Sequence, residues 1–178
     1  MASAPSHATA RPRRAGDEQA MRTLSVRRDH RRELTGEIAR YLGAVSILLV
    51  GAVHAQQYYE AYFSVVPTIG TLFLLSFIGA GILGTVLFAP VRRLDPRVGD
   101  LILAVAAVGA ISIALGTLVS LLISEYMPLF GFMESGYRLA IVLTLLFDVL
   151  TTAFLGAFLV IVGPGVIHTI TDESGRTR

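Results

Sequence analysis

The sequence has no lysine, no cysteine and no tryptophan, and all 15 of its basic residues are arginine. The absence of lysine excludes a P-loop lysine, a pyridoxal or retinal Schiff base and a Ser–Lys dyad. The absence of cysteine excludes disulfides, thiolate nucleophiles and iron–sulfur clusters. The G-x-S-x-G and H-E-x-x-H patterns of hydrolases and zinc proteases are also missing. The composition therefore favours a non-enzymatic protein.

Apolar residues make up 53% of the 178 positions and concentrate in four long blocks. A membrane helix needs about 20 mostly apolar residues to cross a hydrocarbon core about 30 Å thick. Each block meets that length, and the turns between the blocks are short. The predicted spans are residues 38–57, 66–89, 101–123 and 139–163. We therefore predict an all-α polytopic membrane protein with a four-helix antiparallel transmembrane bundle.

Arginine placement predicts how the spans are oriented. Residues 1–40 carry nine arginines against five acidic residues, and the turn at 90–100 carries three arginines. The turns at 57–66 and 124–138 hold Glu60, Glu125 and Glu134 and only one arginine, Arg138. The pattern predicts a multi-pass protein of a bacterial cytoplasmic (inner) membrane, with both termini in the cytoplasm and the two acidic turns outside.

The ends of the chain differ from the blocks in composition. Residues 1–36 are rich in Ala, Ser, Pro and Arg and predict a disordered basic cytoplasmic tail. Residues 37–167 form the predicted transmembrane domain, and residues 168–178 form a short cytoplasmic tail. Arg27, Arg28, Arg31 and Arg32 are interpreted as a topology signal, with attraction to anionic lipids as the alternative. No nucleic-acid partner is predicted, because this cluster is short and lacks aromatic residues.

The first span has a competing interpretation as a signal peptide. Residues 42–53 would form its apolar core, and Val53-His54-Ala55 resembles a small-residue cleavage site. The charged region ahead of it runs to about 40 residues, which is long for a signal peptide. A start at Met21 would shorten that region, so both the start and the cleavage remain open.

Aromatic and acidic residues crowd the two outer turns. Tyrosine and phenylalanine at the ends of spans are typical of the membrane interface. We interpret these turns as the outer contact surface of the protein. Its candidate residues are Tyr58, Tyr59, Glu60, Tyr62, Glu125, Phe132 and Glu134.

Small residues recur at every fourth position in the later spans, and such rows allow close helix packing in membranes. The third span has two of them, one of alanines and one of serines with a glycine, which predicts that this helix packs against two neighbours. The rows are Ser76/Ala80/Gly84, Ala106/Ala110/Ala114, Ser112/Gly116/Ser120/Ser124 and Thr144/Asp148/Thr152/Gly156. Packing within the bundle is one interpretation of the rows, and a homodimer seam is the alternative.

Asp148 is the most informative single residue, because it lies near the middle of the fourth span. Carboxylates at that depth face a protein interior or a cavity and often serve proton or cation relays. The alternative is a neutral, buried carboxyl hydrogen-bonded to a serine or threonine of a neighbouring helix. Asp148 is a candidate functional residue on the first interpretation and a packing residue on the second.

His54, near the outer end of the first span, is the second candidate. An imidazole titrates near physiological pH, and a His54–Asp148 relay is geometrically possible. The alternative is a histidine that only makes a hydrogen bond at the interface. Haem is disfavoured because one chain offers a single histidine within its spans, and no cofactor is predicted. His54, Met127 and Met133 are weak metal candidates without fixed ligand spacing.

Several segments resemble a group of uncharacterised four-helix integral membrane proteins of high-GC actinobacteria. The matching residues are His54, the tyrosines at 58–62, the run Val66-Pro67-Thr68-Ile69-Gly70-Thr71-Leu72-Phe73-Leu74-Leu75 and the turn at 128–138. The resemblance covers residues 41–163. It implies a topology and a bacterial membrane but no reaction, and Asp148 is not part of the pattern.

The sequence thus favours a structural or accessory subunit, or a small binding protein, in the lipid bilayer. Other membrane subunits or a second copy of the chain are its expected partners. The alternative function is a proton-, cation- or quinone-handling membrane protein that uses His54 and Asp148.

Overall fold

The computed structural model describes residues 11–60, 67–93, 95–126 and 139–176, and within them it contains helices and no strand. Helix α1 covers Arg11–Glu60, α2 covers Pro67–Phe88, α3 covers Pro96–Tyr126 and α4 covers Leu139–Arg176. One turn of 3-10 helix, Val91–Arg93, lies between α2 and α3. The predicted all-α, four-helix fold is confirmed.

Each of the four helices contains a stretch long and apolar enough to cross a membrane. The stretches are Leu24–Glu60, Thr68–Phe88, Pro96–Ser124 and Leu139–Gly163. The first stretch is 56% buried within its most apolar window, whereas the other three are 17–28% buried. Helix α1 is therefore the most enclosed helix, and the other three present broad apolar surfaces that fit contact with lipid.

The largest differences from the predicted boundaries are at the start of α1 and the end of α4. Helix α1 already begins at Arg11, so most of the predicted disordered tail is helical. No proline interrupts the chain between Pro12 and the end of α1, and Ala, Arg and Glu are good helix formers. Helix α4 continues to Arg176, beyond its predicted end at residue 163. Pro164 removes one helical hydrogen bond, which a continuing membrane helix tolerates.

The chain divides into two compact units, Met1–Thr35 and Gly36–Arg178. The described part of the first unit is the N-terminal part of α1, where the Thr35 hydroxyl donates to the backbone oxygen of Arg31 at 2.8 Å. The second unit contains the rest of α1 and helices α2 to α4, and it holds the four-helix bundle.

Within the bundle, each helix packs against two neighbours. Helix α3 contacts both α2 and α4. Helix α1 lies against α2 and α4. A Cβ at Gly84 would lie 2.6 Å from Leu48 Cγ, and a Cβ at Gly43 would lie 2.6 Å from Leu155 Cγ. Glycine at these positions lets the helices approach closely.

The core combines alanines of α3 with large side chains of the other helices. Ala106, Ala110 and Ala114 are at most 3% exposed, so the alanine row of α3 faces inwards. Leu155 and Phe158 of α4 are fully buried in the same core. The small residues bring the α3 backbone close, and the large ones fill the remaining space.

The turn between α2 and α3 is held by a helix cap. Asp95 Oδ1 accepts hydrogen bonds from the backbone N–H groups of Arg97 at 2.8 Å and Val98 at 3.1 Å. These are N–H groups of the first helical turn that lack partners within the helix. Pro96 suits the first helical position. Helix α3 therefore begins at Pro96, five residues before the predicted span.

Candidate functional site

A cavity of about 370 Å³ lies between the four helices at the end of the bundle where α1 and α3 finish and α2 and α4 begin. We call it the His54 cavity and call this end the His54 end. Most of its wall is apolar, with serine, threonine, histidine and glutamine side chains interspersed. The lining residues are Val53, His54 and Gln57 of α1, Ile69, Leu72, Phe73 and Ser76 of α2, Ser112, Ile113, Gly116, Thr117, Ser120, Leu121 and Ser124 of α3, and Ala140, Ile141 and Thr144 of α4.

His54 is a buried polar residue of the cavity wall, with 4% of its surface exposed. Its Nδ1 lies 2.8 Å from the backbone oxygen of Val50, one helical turn earlier. A carbonyl only accepts, so Nδ1 carries the hydrogen, and in the neutral ring the other nitrogen, Nε2, is an acceptor. Phe73 of α2 packs beside the imidazole with ring centroids 5.2 Å apart. The backbone and Phe73 together fix the orientation of the ring.

Asp148 is buried to 99% in α4 and makes a hydrogen bond to α3. The hydroxyl of Thr117 lies 2.7 Å from Asp148 Oδ2. This is the contact that the packing interpretation of Asp148 predicts: a buried carboxyl bonded to a threonine of a neighbouring helix. Thr117 also lines the His54 cavity, so it connects the carboxyl to the cavity wall.

The predicted relay between His54 and Asp148 does not form a direct hydrogen bond among the described residues. The partner of His54 is Val50 O, and the partner of Asp148 is Thr117. His54 lines the cavity directly, and Asp148 contacts Thr117, which lines the same cavity. Any exchange of a proton between them therefore needs an intervening group in the cavity.

Two polar atoms of α4 are buried without a hydrogen-bond partner among the described residues, Asp148 Oδ1 and Thr151 Oγ1. Their residues are three positions apart, so the side chains lie on the same side of the helix. A buried acceptor without a partner costs free energy. The contact with Thr117 thus provides a hydrogen bond to only one of the two carboxyl oxygens of Asp148.

The two rows of α3 have separate environments. The alanine row lies in the core, whereas Ser112, Gly116, Ser120 and Ser124 line the His54 cavity. The Ser112 hydroxyl donates to Val108 O at 2.9 Å, and the Ser124 hydroxyl donates to Leu121 O at 2.8 Å. The serine row is thus part of the cavity wall.

Only part of the predicted outer contact surface lies within the described residues. Tyr58 and Tyr59 meet edge to face with ring centroids 5.0 Å apart, and Tyr59 is 68% exposed. Glu60 accepts a hydrogen bond from Gln56 at 3.1 Å. Helix α1 therefore ends with an exposed tyrosine ring and a carboxylate. Tyr62, Phe132, Glu134, Met127, Met133 and the side chain of Glu125 lie outside the described residues.

No cluster of three or more histidine, aspartate and glutamate side chains with the geometry of a metal site occurs in the described ranges. The weak metal set of His54 with Met127 and Met133 cannot be assembled from them, because both methionines lie outside those ranges. The arrangement at His54 is suited instead to hydrogen bonding with a ligand that fits an apolar cavity.

The sequence interpretation missed an ionic network at the opposite end of the bundle. Glu37 pairs with Arg40 at 2.5 Å and with Arg92, and Arg92 pairs with Asp100 at 2.5 Å. Arg40 also donates to the backbone oxygen of Leu87 at 2.7 Å. Glu37 lies three residues before Arg40, and helix positions i and i+3 are neighbours. This spacing was the sequence signal for the ion pair between them.

Arg40 therefore caps α2. The last carbonyls of a helix lack partners within the helix, and a guanidinium suits that negative end. The Arg40 side chain is only 5% exposed, and its guanidinium carbon lies 4.3 Å from the ring centroid of Tyr41. One of the arginines counted as a topology signal thus has a structural role in joining α1 to α2.

Comparison of the chain with protein-family models, with curated proteins and with solved structures found no significant match.

Proposed function

We propose that this protein is a non-enzymatic integral membrane binding protein whose His54 cavity holds a small lipid-soluble molecule. The observation that carries the proposal is the cavity itself: all four helices contribute to its wall, and its volume of about 370 Å³ lies within the range of about 300–1,000 Å³ for small-molecule sites. An apolar wall with a few placed polar groups is typical of such sites.

The polar groups of the cavity support binding rather than packing alone. His54 is buried and held in one orientation by Val50 and Phe73. A fixed, buried imidazole in an otherwise apolar wall gives a ligand a defined hydrogen-bonding position. The molecule would reach the cavity from the membrane, in which apolar compounds concentrate.

In this proposal, the predicted orientation places the His54 end at the outer face. The exposed Tyr59 and the carboxylate of Glu60 would then form part of a contact surface for another membrane subunit or a second copy of the chain. The resemblance to four-helix membrane proteins of high-GC actinobacteria supports a bacterial cytoplasmic membrane as the location.

The test is to purify the full-length protein in mild detergent and to identify small molecules that remain bound by mass spectrometry. Gly116 lies in the cavity wall, and a Cβ there would meet no atom within 4 Å. Gly116→Leu should therefore fill the cavity without displacing the backbone, and the bound molecule should be lost.

Gly81→Leu is the matched control. A Cβ at Gly81 also meets no atom within 4 Å, but Gly81 does not line the cavity. The control variant should retain the molecule at the wild-type level. Equal retention in both variants, or an empty wild-type protein, would contradict the proposal.

A second candidate function, proton, cation or quinone handling, is favoured by the half-satisfied carboxyl of Asp148. Its Oδ1 is buried without a partner among the described residues, while Oδ2 contacts Thr117 of the cavity wall. Under this function, Asp148→Asn or His54→Ala should abolish a transport or redox phenotype while membrane insertion continues. A normal phenotype in both variants would remove this candidate.

A further inference from the structure

Five polar side chains of the His54 cavity use their hydrogens within the protein. His54 Nδ1 donates to Val50 O at 2.8 Å. Four hydroxyl groups of the wall lie 2.8–2.9 Å from backbone oxygens of their own helices: those of Ser112, Thr117, Ser124 and Thr144. A hydroxyl has one hydrogen and two lone pairs. These five side chains therefore offer lone pairs to a ligand rather than hydrogens.

Thr117 illustrates this point, because its hydroxyl is close to several acceptors at once. It lies 2.9 Å from Ala114 O, 3.1 Å from Ile113 O and 2.7 Å from Asp148 Oδ2. Whichever of these accepts its single hydrogen, none remains for a molecule in the cavity.

The cavity acceptor with the most fixed position is Nε2 of His54, because Val50 O and Phe73 hold the ring in one orientation. Nε2 has no hydrogen-bond partner among the described residues, and His54 lines the cavity. A ligand hydrogen bond to a fixed acceptor requires little ordering of the protein. Gln57 and Ser76 are half-buried and Ser120 is exposed, so their donors are more open to competing contacts than the fixed imidazole. The cavity therefore favours a ligand that donates a hydrogen bond to His54.

The neighbouring ring adds a second preference. Phe73 lies against the imidazole and also lines the cavity. An aromatic ligand ring beside Phe73 gains offset or edge-to-face contact in addition to burial of apolar area. The polar head of the ligand is then best described as a hydroxyl on an aromatic ring.

We propose that the His54 cavity binds the hydroquinone form of a membrane quinone, a quinol, in preference to the oxidised quinone. A quinol donates through its hydroxyl groups, whereas a quinone only accepts, and the two share nearly the same shape. The inference rests on the proposed binding function and names its ligand class.

The experiment compares three probes with the same tetramethylated ring on the purified full-length protein: duroquinol, duroquinone and the dimethyl ether of duroquinol. Binding is measured by equilibrium dialysis in detergent under argon, with protein-free micelles as the partition control. The protein has no cysteine, so a reductant in the buffer alters no disulfide. Duroquinol should bind about tenfold more tightly than the other two, as expected for one net hydrogen bond.

His54→Phe removes the acceptor but keeps an aromatic ring beside Phe73. It should abolish the roughly tenfold preference for duroquinol over duroquinone. The comparison of the three probes on the wild-type protein requires no variant, so the proposal stays testable if His54→Phe fails to fold.

Gly116→Leu separates the two proposals. If Gly116→Leu weakens all three probes but duroquinone binds the wild type as tightly as duroquinol, the preference for quinol is wrong and the binding function stands. If Gly116→Leu binds every probe as the wild type does, the cavity is not the site and both proposals fail.

Discussion

Thr117 of α3 and Asp148 of α4 join their helices by a 2.7 Å hydrogen bond between side chains inside the bundle. The Asp148 carboxyl has no second hydrogen-bond partner among the described residues, because its other oxygen, Oδ1, is buried and unpaired. The pair therefore depends on the single hydroxyl of Thr117.

Replacing Thr117 with valine should destabilise the bundle. The change keeps the shape of the side chain and leaves both carboxyl oxygens of Asp148 without a side-chain partner. Interhelical hydrogen bonds in membranes contribute about 0.6 kcal/mol on average and up to about 1.7, and an unpaired buried group adds to the loss. We expect a decrease of about 1–2 kcal/mol in the free energy of unfolding, measured by denaturation in mixed SDS and dodecylmaltoside micelles.

Thr152→Val is the control for this prediction. The Thr152 hydroxyl donates to the backbone oxygen of Asp148 within its own helix, at 2.9 Å, and bridges no helices. Its loss should cost less than about 0.5 kcal/mol. An equal cost for both variants would mean that the bond between α3 and α4 contributes nothing specific.

Replacing Arg40 with methionine should loosen the contact between α1 and α2. The variant loses the hydrogen bond to Leu87 O and the ion pair with Glu37 but keeps most of the apolar stem. Hydrogen bonds that involve a charged group contribute about 1.5–3 kcal/mol, and we expect a loss of that size in the same unfolding assay. Arg93→Met is the control, because Arg93 is exposed. If Arg93→Met lowered the free energy of unfolding by as much, the effect would come from the loss of a positive charge and not from the contacts of Arg40.

Adding one methyl group at Gly43 should disturb the contact of α1 with α4. A Cβ there would lie 2.6 Å from Cγ of Leu155, which is fully buried and cannot swing away freely. Overpacking of this kind costs about 1–3 kcal/mol, so Gly43→Ala should lower the free energy of unfolding by that amount. The double variant Gly43→Ala/Leu155→Ala relieves the overlap. Its loss in the free energy of unfolding should therefore be smaller than the sum of the losses in the two single variants. Strict additivity would contradict this account.

The predicted orientation can be measured directly because the chain has no native cysteine. Tyr59 and Arg93 are both exposed and lie at opposite ends of the bundle. Tyr59→Cys should react with a membrane-impermeant maleimide on intact cells, and Arg93→Cys should react only after the cells are permeabilised. The reverse pattern would invert the proposed topology and place the His54 end in the cytoplasm.

The spans were predictable from the sequence because crossing a membrane is a local property: a run of apolar residues of sufficient length. The alanine row of α3 was predicted to pack and is buried in the core, whereas the serine row, given the same interpretation, lines the His54 cavity. The pairing of Thr117 with Asp148 was not predictable, because several hydroxyl groups of α3 satisfy the same pattern. Which of them meets Asp148 depends on the rotation of α3 in the assembled bundle.

The extent of α1 and the role of Arg40 were missed for related reasons. The composition of residues 11–36 predicts disorder but also contains good helix formers, and the structure continues the helix through them. Arg40 was counted as a charge that orients the chain, yet its guanidinium is buried at the end of α2. The carbonyl that it binds is 47 residues away in sequence, so no local pattern identifies it.

The His54 cavity gives the proposed ligand an influence on the lifetime of the protein in the cell. A molecule bound in the cavity stabilises only the folded state, because the unfolded chain does not form the site. At a free concentration about 100 times the dissociation constant, the gain is about 2.7 kcal/mol. Chaperones and proteases act on the unfolded fraction, which this gain makes smaller. The cellular abundance of the protein should therefore follow the supply of its ligand, so that scarcity lowers the number of binding sites along with their occupancy.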